Sequence, residues 1–563
     1  MKISSKKKLF GLLALMLTGI FVLAACGGGG GTAATPTPGT PGQETTAPTP
    51  GPPADVDLEN IEPAFRRFAD EPITLDWLVV QGWIADVNES LVAQRIFEET
   101  GIRLNLIDPG GMEAEVINTM VAAGTLPDII SISNVNLLWP ELIEAGLVLP
   151  LNELANRYDP YFWNVAQPDT VMWYTMDDGN IFRYPNYSIT FADVEQGFAQ
   201  VNPVFMVAED IYEALGRPDM TYPEGFLQAL RDARDMFPER NGFPLIPLGV
   251  QAFGVNGNQS LDLQLMDFLA VPRADGQGNM LDRHLDEEWQ NWLRVIRQVV
   301  EEGMFDVDAM VDTSVQINER IAQGRYFALM SAWTALQHAQ DSLLVHHPEM
   351  ALIPTHGPRN SNGAAPRLDA GHLNGWVGTA ITSNVRDAER AMSLITYMLM
   401  PETQVMLAYG PEGIGFNWID GEAVPTDWAM DLLENNAAYF QQHVGGMQQY
   451  FMLRHMPTQA RFFDPVPQVA LRPFRDFALP MGVNVSPYVV SLAEAPDIAL
   501  INQNVNLAWG ETLPQLLLAS SDEEFDRMFA EWIERRYNIG FGQVLEEQTR
   551  QHRLNLQRLG IDY

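Results

Sequence analysis

Apolar and polar residues in the first part of the body follow strand and helix periodicities in turn. Residues 73–80 are dominated by apolar and β-branched types, which predicts a strand, and a helix capped by Asn88 runs from there to a stop at Gly101. The next predicted elements are a strand at 102–107, a helix that ends at Gly124 and a strand at 129–132. Strands that alternate with helices across short loops are typical of a parallel, doubly wound sheet, in which ligands bind at the carboxyl ends of the strands.

Amphipathic helices recur further along the chain. One is predicted after Thr221, and a long one at 285–302 carries Trp289 and Trp292 at core spacing. Near the C-terminus, Ser521 and Glu524 form a predicted capping box. No internal repeat of fixed period is present. A chain of 563 residues with one continuous α/β character predicts two lobes that share one cleft.

The N-terminus has the pattern of an export signal. Lys6, Lys7 and Lys8 precede a mostly apolar stretch at 9–22, and Leu23-Ala24-Ala25-Cys26 follows at once. This sequence matches a bacterial lipobox, which predicts removal of the signal peptide 1–25 and acylation of Cys26, with durable anchoring by several acyl chains. The alternative is an ordinary signal-anchor helix that contains a cysteine by chance.

A low-complexity segment follows the cysteine. Residues 27–53 are mainly Gly, Thr, Pro and Ala, and such a segment cannot bury apolar surface. We therefore expect an extended tether over 26–70. No later apolar run has the length of a membrane span, so the remainder is expected to be soluble and to lie outside the cytoplasm.

The charge balance limits the partners of the chain. The sequence has 34 basic and 72 acidic residues, and all four lysines lie within the first eight positions. Loss of the signal peptide leaves 30 arginines against the 72 acids, a net charge of −42. A polyanion of this size repels phosphate backbones and anionic membrane surfaces, so no nucleic-acid partner is expected. A single cysteine excludes a disulfide framework and any multi-cysteine metal site.

The sequence contains no fingerprint of catalysis. No G-x-S-x-G, P-loop, G-x-G-x-x-G or H-E-x-x-H motif is present, and His346 and His347 are adjacent, so their side chains point in different directions. Carboxylate pairs are abundant, but 72 acids make such pairs unavoidable. We therefore expect no catalytic residue, no metal and no cofactor.

Aromatic and polar side chains instead occur at loop-like positions next to predicted strands. A rigid indole that stacks on a sugar ring, beside groups that bind hydroxyls, is a common way to hold neutral carbohydrate. The alternative for any one of these tryptophans is an ordinary core position. The candidate ligand-binding residues are Trp83, Asn134, Trp333, Trp376, Glu412 and Trp418.

Several short segments, in this order, carry a resemblance to a known family. They are Gly124-Thr125-Leu126-Pro127-Asp128-Ile129, the segment 178–185, Gly303-Met304-Phe305-Asp306, the segment 324–330, and Tyr409-Gly410-Pro411-Glu412-Gly413, which is similar to "Y-G-I-E-G". Together with the lipobox, they resemble the bacterial extracellular solute-binding lipoproteins of the family 1 type, in particular the large branch associated with oligosaccharide import. The resemblance covers the chain from about Ile73 to the C-terminus.

The resemblance implies a two-lobed periplasmic-binding-protein type II fold, an α/β fold with the ligand cleft between the lobes. It implies an N-terminal lobe of 71–190 with 375–430 and a C-terminal lobe of 191–374 with 431–563. Some large members carry a calcium loop, but the matching stretch here, 237–248, lacks the spaced carboxylates that calcium requires.

The implied function is that of a carrier without enzymatic activity. It would be a monomer anchored by lipid on the outer face of the cell membrane, and it would deliver a carbohydrate to the transmembrane subunits of an ABC importer. Two alternatives stay open at this stage: a surface-anchored glycan hydrolase, and a sensor module that presents its ligand to a membrane receptor.

Overall fold

A computed structural model describes residues 49–79, 88–110, 112–134, 136–199, 201–446, 452–462, 471–493 and 495–562. All of these belong to one unit, Thr46–Tyr563. Within them, no helix has the length and apolar character needed to cross a membrane. The predicted signal peptide, Cys26 and Trp83 lie outside the described residues.

Strands in the described part of the chain form two main sheets and three small ribbons. In chain order they are β1 (Ile73–Val79), β2 (Ile102–Ile107), β3 (Ile129–Ser133), β4 (Tyr184–Pro185), β5 (Pro203–Ala208), β6 (Glu239–Arg240), β7 (Phe243–Pro244), β8 (Ile246–Val250), β9 (Tyr326–Ala332), β10 (Leu352–Thr355), β11 (Leu368–Asp369), β12 (Val377–Ile381), β13 (Phe416–Ile419), β14 (Glu422–Pro425) and β15 (Gly482–Val483).

Helices surround the sheets and form most of the C-terminal part. They are α1 (Leu91–Thr100), α2 (Glu113–Ala123), α3 (Leu138–Glu144), α4 (Leu151–Tyr158), α5 (Phe162–Val165), α6 (Pro168–Tyr174), α7 (Phe191–Glu195), α8 (Glu209–Ala214), α9 (Pro223–Met236), α10 (Leu265–Phe268), α11 (Glu287–Glu301), α12 (Ser314–Ala322), α13 (Gln337–His346), α14 (Ala388–Leu399), α15 (Pro401–Tyr409), α16 (Asp427–Asn435), α17 (Ala437–Tyr439), α18 (Met456–Phe462), α19 (Arg472–Ala478), α20 (Pro496–Leu517), α21 (Asp522–Ile539) and α22 (Phe541–Arg558).

The first sheet has the strand order β2-β1-β3-β12-β4. Strand β1 pairs in parallel with β2 and β3, and β12 pairs antiparallel with both β3 and β4. Both faces are covered: Trp77 and Val79 lie in one apolar cluster, while Leu78 lies in another. The α/β fold predicted from the alternating pattern is therefore confirmed, with one antiparallel strand supplied from far along the chain.

The ends of the predicted helices agree closely with the structure. Gly101 and Gly124 both end their helices in the left-handed conformation, with φ of 68° and 65°. At the start of α1 the structure differs, because the cap is Ser90, whose hydroxyl accepts the N–H of Ala93, and not Asn88.

The predicted capping box at α21 forms only in part. Ser521 caps the helix by accepting the N–H of Glu524, but the Glu524 carboxylate accepts from the backbone of Ser520 and not from that of Ser521.

The second sheet has the strand order β10-β5-β9-β8. Here β8 and β9 are parallel, and β5 is antiparallel to β9 and to β10. Its core is the largest of the described residues and includes the buried side chains of Trp289, Trp292 and Trp532. The assignment of Trp289 and Trp292 to the core, predicted from their spacing, is confirmed.

Three segments that run between the sheets are joined by hydrogen bonds, and we call them the connector: residues 186–190, 368–373 and 482–486. Strands β11 and β15 pair in parallel, the N–H of Val485 donates to the carbonyl of Gly371 at 3.0 Å, and the N–H of Ile189 donates to the carbonyl of His372 at 3.0 Å. Gly371 has φ of 107°, and a Cβ there would lie 2.8 Å from the Ile189 side chain. This position therefore requires glycine.

A short segment near residue 452 packs with the first sheet, although the predicted lobe boundaries assign it to the other lobe. Met452 and Leu453 belong to a core of the first sheet, although the predicted boundary at 431 assigns them to the other lobe. The Gln404 side chain donates to the carbonyl of Leu453 at 3.0 Å and holds this return segment in place. Such a long-range hydrogen bond leaves no local signal in the sequence.

The folded body also begins before residue 71. Residues Ala64–Arg67 form a 3-10 turn, and Phe65, which is 6% exposed, packs edge-on against Tyr397 at a centroid distance of 4.7 Å. The end of the predicted tether 26–70 is thus part of the core, because an aromatic side chain interrupts its polar composition. The backbone N–H of Ala64 donates to the carboxylate of Asp159 at 3.1 Å.

Asp159 gives this N-terminal contact a pH dependence. The residue is 1% exposed, and burial raises its carboxyl pKa from 3.8 to about 6, against hydrogen bonds that lower it. The folded state holds the proton on Asp159 up to about pH 6, whereas the unfolded state releases it near pH 3.8. The contribution of this carboxyl to the free energy of unfolding is therefore fully present below pH 4 and is lost as the pH rises to 6.

We therefore predict that Asp159→Asn gains stability relative to the wild type as pH rises from 4 to 6, by roughly 2–3 kcal/mol, and that the difference is constant above pH 6. Denaturant unfolding at a series of pH values measures this. The control is Asp70→Asn, at an exposed position. A difference that does not change between pH 4 and 6 contradicts the prediction.

Candidate functional site

A cavity of about 850 Å³ lies at the edges of both main sheets. In the first sheet, β1, β3 and β4 run in one direction and β12 runs in the other, so the carboxyl ends of the first three share an edge with the start of β12. Tyr187, two residues after β4, and Trp376, directly before β12, both line the cavity. This is the edge at which α/β sheets bind ligands.

The second sheet faces the same cavity with its corresponding edge. Gln251 follows β8, Ala332 ends β9 and Pro203 begins the antiparallel β5, and all three lie in the wall. The connector supplies part of the wall between the two sheets, through Ile189 and residues 369–372. The cavity is therefore built from both sheets and from the segments that run between them.

Neutral amides form the wall on the side of the second sheet. The Gln264 side chain donates to Oε1 of Gln251 at 3.0 Å, and Asn258 Nδ2 donates to the carbonyl of Gln251 at 2.8 Å. Gln264 ends a π-helical turn, Ser260–Gln264, in which the Ser260 hydroxyl donates to the carbonyl of Met330 at 2.8 Å. Such turns occur frequently at functional sites.

Two acceptors in this wall have no hydrogen-bond partner among the described residues. They are Oδ1 of Asn202 and Oε1 of Gln264, both buried. A buried acceptor without a partner costs about 1–3 kcal/mol. The side-chain amides of this wall are groups of the kind that bind ligand hydroxyls.

The side of the first sheet is aromatic and carries charge. The rings of Tyr187 and His372 lie 6.4 Å apart. Burial, with a smaller effect of the Asp369 charge, raises the pKa of Tyr187 to about 12, and burial lowers the pKa of His372 below 6.5. At pH 7 the tyrosine is therefore a protonated donor and the histidine is neutral. Arg454 also lies in this wall, whereas Arg472, which begins α19, lines the cavity from a helix that packs on β5 and β10 of the second sheet.

Two of the residues predicted from the sequence lie together at this site. Trp376 lines the cavity, and its carbonyl accepts the backbone N–H of Asn134 at 2.9 Å. Asn134 is 1% exposed, and its side chain donates to the carbonyl of Asn374 at 2.6 Å. Asn134 thus lies behind Trp376 and holds the segment that carries the indole. Trp83 is outside the described residues, and its contribution stays a prediction.

Trp333 is adjacent to the cavity but turns away from it. Its side chain is 2% exposed, and its indole N–H donates to the carbonyl of Val201 at 2.8 Å. The next two residues, Thr334 and Ala335, line the cavity in its place. In this structure Trp333 belongs to the core of the second sheet.

Glu412 and Trp418 are not part of the described cavity wall. Glu412 is exposed, and Trp418 packs edge-on between Phe416 and Phe462, at centroid distances of 5.6 and 5.5 Å. Tyr409, which begins the glycine-rich segment that contains Glu412, does line the cavity.

Sequence reasoning missed the amides and the arginines of the wall. Gln251 directly follows a strand, a position that the strand rule used for Trp83 and Asn134 could have identified. Gln264 and Arg454 had no such signal, because only tertiary contacts bring them to the cavity.

The stretch 237–248 forms a tight hairpin, β6–β7, in which Asn241 and Gly242 both have positive φ, 50° and 77°. The Arg240 guanidinium donates to the carbonyl of Gly324 at 2.8 Å and to the carboxylate of Asp210 at 2.5 Å. Among the described residues, no group of three or more His, Cys, Asp or Glu side chains is placed to hold a metal ion.

Comparison with known proteins identifies relatives of one kind. No protein-family model matches the chain. The chain is 25% identical over 322 residues to FusA, a fructooligosaccharide ABC transporter substrate-binding protein of Streptococcus pneumoniae, over 54% of each chain. It thus spans about half the length of the curated relative that it matches.

Solved structures extend the similarity to most of the chain. FusA of S. pneumoniae in complex with kestose has a TM-score of 0.66 at 18% identity, and it covers 86% of this chain and 99% of its own. An HMO-binding solute-binding protein of Bifidobacterium longum infantis has a TM-score of 0.66 at 13% identity, with the same coverage. The predicted periplasmic-binding-protein fold is confirmed, and the relatives are solute-binding proteins, the kind of protein that the sequence resembles.

The placement of the two tryptophans yields a prediction about stability. Trp333→Ala removes a buried indole and its hydrogen bond, so we expect a loss of about 3–5 kcal/mol in the free energy of unfolding. Trp376→Ala truncates a side chain that lies against open cavity, so we expect a smaller loss, about 1 kcal/mol. Denaturant unfolding of the two variants without ligand measures both values, and equal losses would contradict the placement.

Proposed function

We propose that this chain is an extracytoplasmic solute-binding protein that captures an oligosaccharide or polysaccharide fragment and delivers it to an ABC importer. The observation that carries the proposal is the composition of the 850 Å³ cavity, in which an indole and two phenol rings lie opposite neutral amides. Aromatic faces bind the apolar faces of sugar rings, and amides bind hydroxyls. A carbohydrate offers both kinds of surface.

The relatives support the class of ligand. FusA is described as a fructooligosaccharide-binding protein and is solved with kestose, and the Bifidobacterium protein is described as HMO-binding. The relatives are binding proteins and not enzymes. In the described wall, Asp369 is the single carboxylate, whereas glycoside hydrolysis commonly uses a pair.

Capture would proceed by closure of two lobes around the ligand. The lobes are centred on the two main sheets, with the connector as the hinge between them. Its two strands form a ribbon separate from both main sheets, so a rotation about it would leave the strand pairing within each sheet intact. Trp376 would stack on the ligand, with Asn134 fixing its backbone.

Delivery requires that the protein stay close to the importer. The lipobox at Cys26 and the Gly/Thr/Pro-rich segment after it support a lipid anchor with a tether, on the outer face of the cell membrane. The closed monomer would then dock on the transmembrane subunits of the importer.

We predict that the processed chain binds at least one member of an oligosaccharide panel and releases no new reducing ends. Ligand at 100 times Kd should raise the free energy of unfolding by about 2.7 kcal/mol. Trp376→Ala should lower the affinity by about 2 kcal/mol or more, because a stacking anchor is lost, and Trp163→Ala, outside the wall, should not. New reducing ends would identify a hydrolase instead.

We also predict that Cys26→Ser releases the protein from the membrane into the medium, because the thiol that receives the lipid is absent. Fractionation of cells that express the full chain, followed by detection of the protein in membrane and medium, measures this. Cys26 is the single cysteine of the sequence, so the variant removes no other thiol. Unchanged membrane association would contradict lipid anchoring.

A further inference from the structure

Helix α16 contributes only apolar side chains to the described cavity wall. Met430 and Leu433, which are three residues apart and therefore neighbours on the helix surface, both line the cavity. The carboxylates of the same helix, Asp427, Asp431 and Glu434, are exposed to solvent and lie outside that wall. The helix thus keeps its charges in water and turns an aliphatic surface toward the cavity.

A phenyl ring from the segment after α16 extends this surface. Phe440 begins the π-helical turn Phe440–Val444 and lines the cavity. It forms a small apolar cluster with Ala429 and Val444, and Leu433 packs against that cluster. Leu433 and Phe440 therefore lie close together in the wall.

The end of α15 is held next to the same turn. Gly410, directly after α15, lies so close to Val444 that a Cβ at this position would be 2.8 Å from Cγ1 of the valine. Ala408, two residues before that glycine, also lines the cavity. We call the following four side chains of the wall the apolar patch: Ala408, Met430, Leu433 and Phe440.

Met430 is the member of the patch that the packing of the protein does not account for. It is half-buried, and it belongs to none of the apolar cores formed by the described residues. Its side chain instead borders the cavity. Methionine is flexible and polarisable, so it adapts to apolar groups of irregular shape, which makes this position suited to contact with a ligand.

The patch fits the hydroxyl groups of a sugar poorly. A hydroxyl pressed against aliphatic side chains loses its water and gains no hydrogen bond, which costs free energy. Flat stacking surfaces for a sugar ring exist elsewhere in the wall, at Trp376 and Tyr409. Gln441 follows Phe440 and also lines the cavity, so the patch is bordered by a polar group. An apolar surface with a polar border matches an acyl group that is joined to a sugar through an ester.

We propose that the apolar patch is a subsite for an ester-linked acyl group, and that the ligand is therefore an acylated oligosaccharide. The inference rests on the proposed function and specifies its substrate class. The sugar rings would contact Trp376 and the amides of the other sheet, while the acyl group would be buried against Met430 and Leu433. Each methyl or methylene group removed from water contributes about fourfold in affinity, so a larger acyl group gains more.

The first test is calorimetric titration of the processed chain with paired saccharides. The probes are acetylated xylo- and manno-oligosaccharides and hydroxycinnamoyl esters of arabinoxylo-oligosaccharides, each with its saponified counterpart. We expect at least one ester to bind about fourfold or more tightly than its saponified counterpart. A smaller gain in every pair, or tighter binding of the saponified members, overturns this inference and leaves the proposed function intact. No binding by any saccharide overturns both.

The second test asks whether the apolar patch holds the acyl group. Met430→Gln replaces the thioether by an amide of similar length, so it should lower the affinity for the ester about fourfold or more and leave that for the saponified counterpart within about twofold. Met430→Leu stays apolar and should keep the preference. Met430→Ala removes apolar surface without adding a polar group and should also weaken the preference, which covers the case in which the glutamine variant does not fold. The control is Met236→Gln, at an exposed position of α9 outside the wall.

Melting of each variant without ligand accompanies the titrations. Glutamine and alanine variants that melt like the wild type and keep the full preference for the ester overturn the role of the apolar patch. A loss of affinity that is equal for the ester and its saponified counterpart overturns it as well, because it would indicate a structural effect.

Discussion

The hydrogen bonds of the connector are the constraint on which the cavity depends. The wall combines residues from two sheets whose cores are separate, so nothing within either core fixes one wall relative to the other. The connector does this with hydrogen bonds between its three segments, which include those of Ile189 with His372, Gly371 with Val485 and Leu373 with Ser486, and with the short β11–β15 pair. The same segment contributes Asp369 and His372 to the wall, so a change in its geometry is also a change in the site.

Each sheet imposes its own chemistry on its side of the cavity. Trp376 and Tyr187 enter the wall because β12 is antiparallel to its neighbours, which brings a residue that precedes a strand next to residues that follow strands. On the other side, the parallel pair β8 and β9 places Gln251 and Thr334 at one edge. The acidic surface of the protein contributes little to either wall, where Asp369 is the only acidic side chain among the described residues.

The order of the elements and part of the site could be predicted from the sequence. In each case the prediction depended on residues close together along the chain. Gly101 and Gly124 end helices because glycine adopts positive φ at no cost, and Trp376 could be placed at a strand end by periodicity alone. Trp333 shows the limit of that rule, because position after a strand does not determine which way the side chain points. Gln264 and Arg454 were missed for another reason: amides and single arginines carry no motif, and their position depends on partners distant in sequence.

The hairpin at Arg240 has a consequence for the environments in which the protein can work. The positive charge that ties the hairpin to Asp210 and to the carbonyl of Gly324 is covalently part of the chain. A bound ion would obey mass action, and its stabilising effect would fall as the concentration of that ion in the medium fell. An internal guanidinium has an occupancy of one at any dilution. The tie that Arg240 makes between the hairpin, Asp210 and Gly324 therefore does not vary with the calcium concentration of the medium.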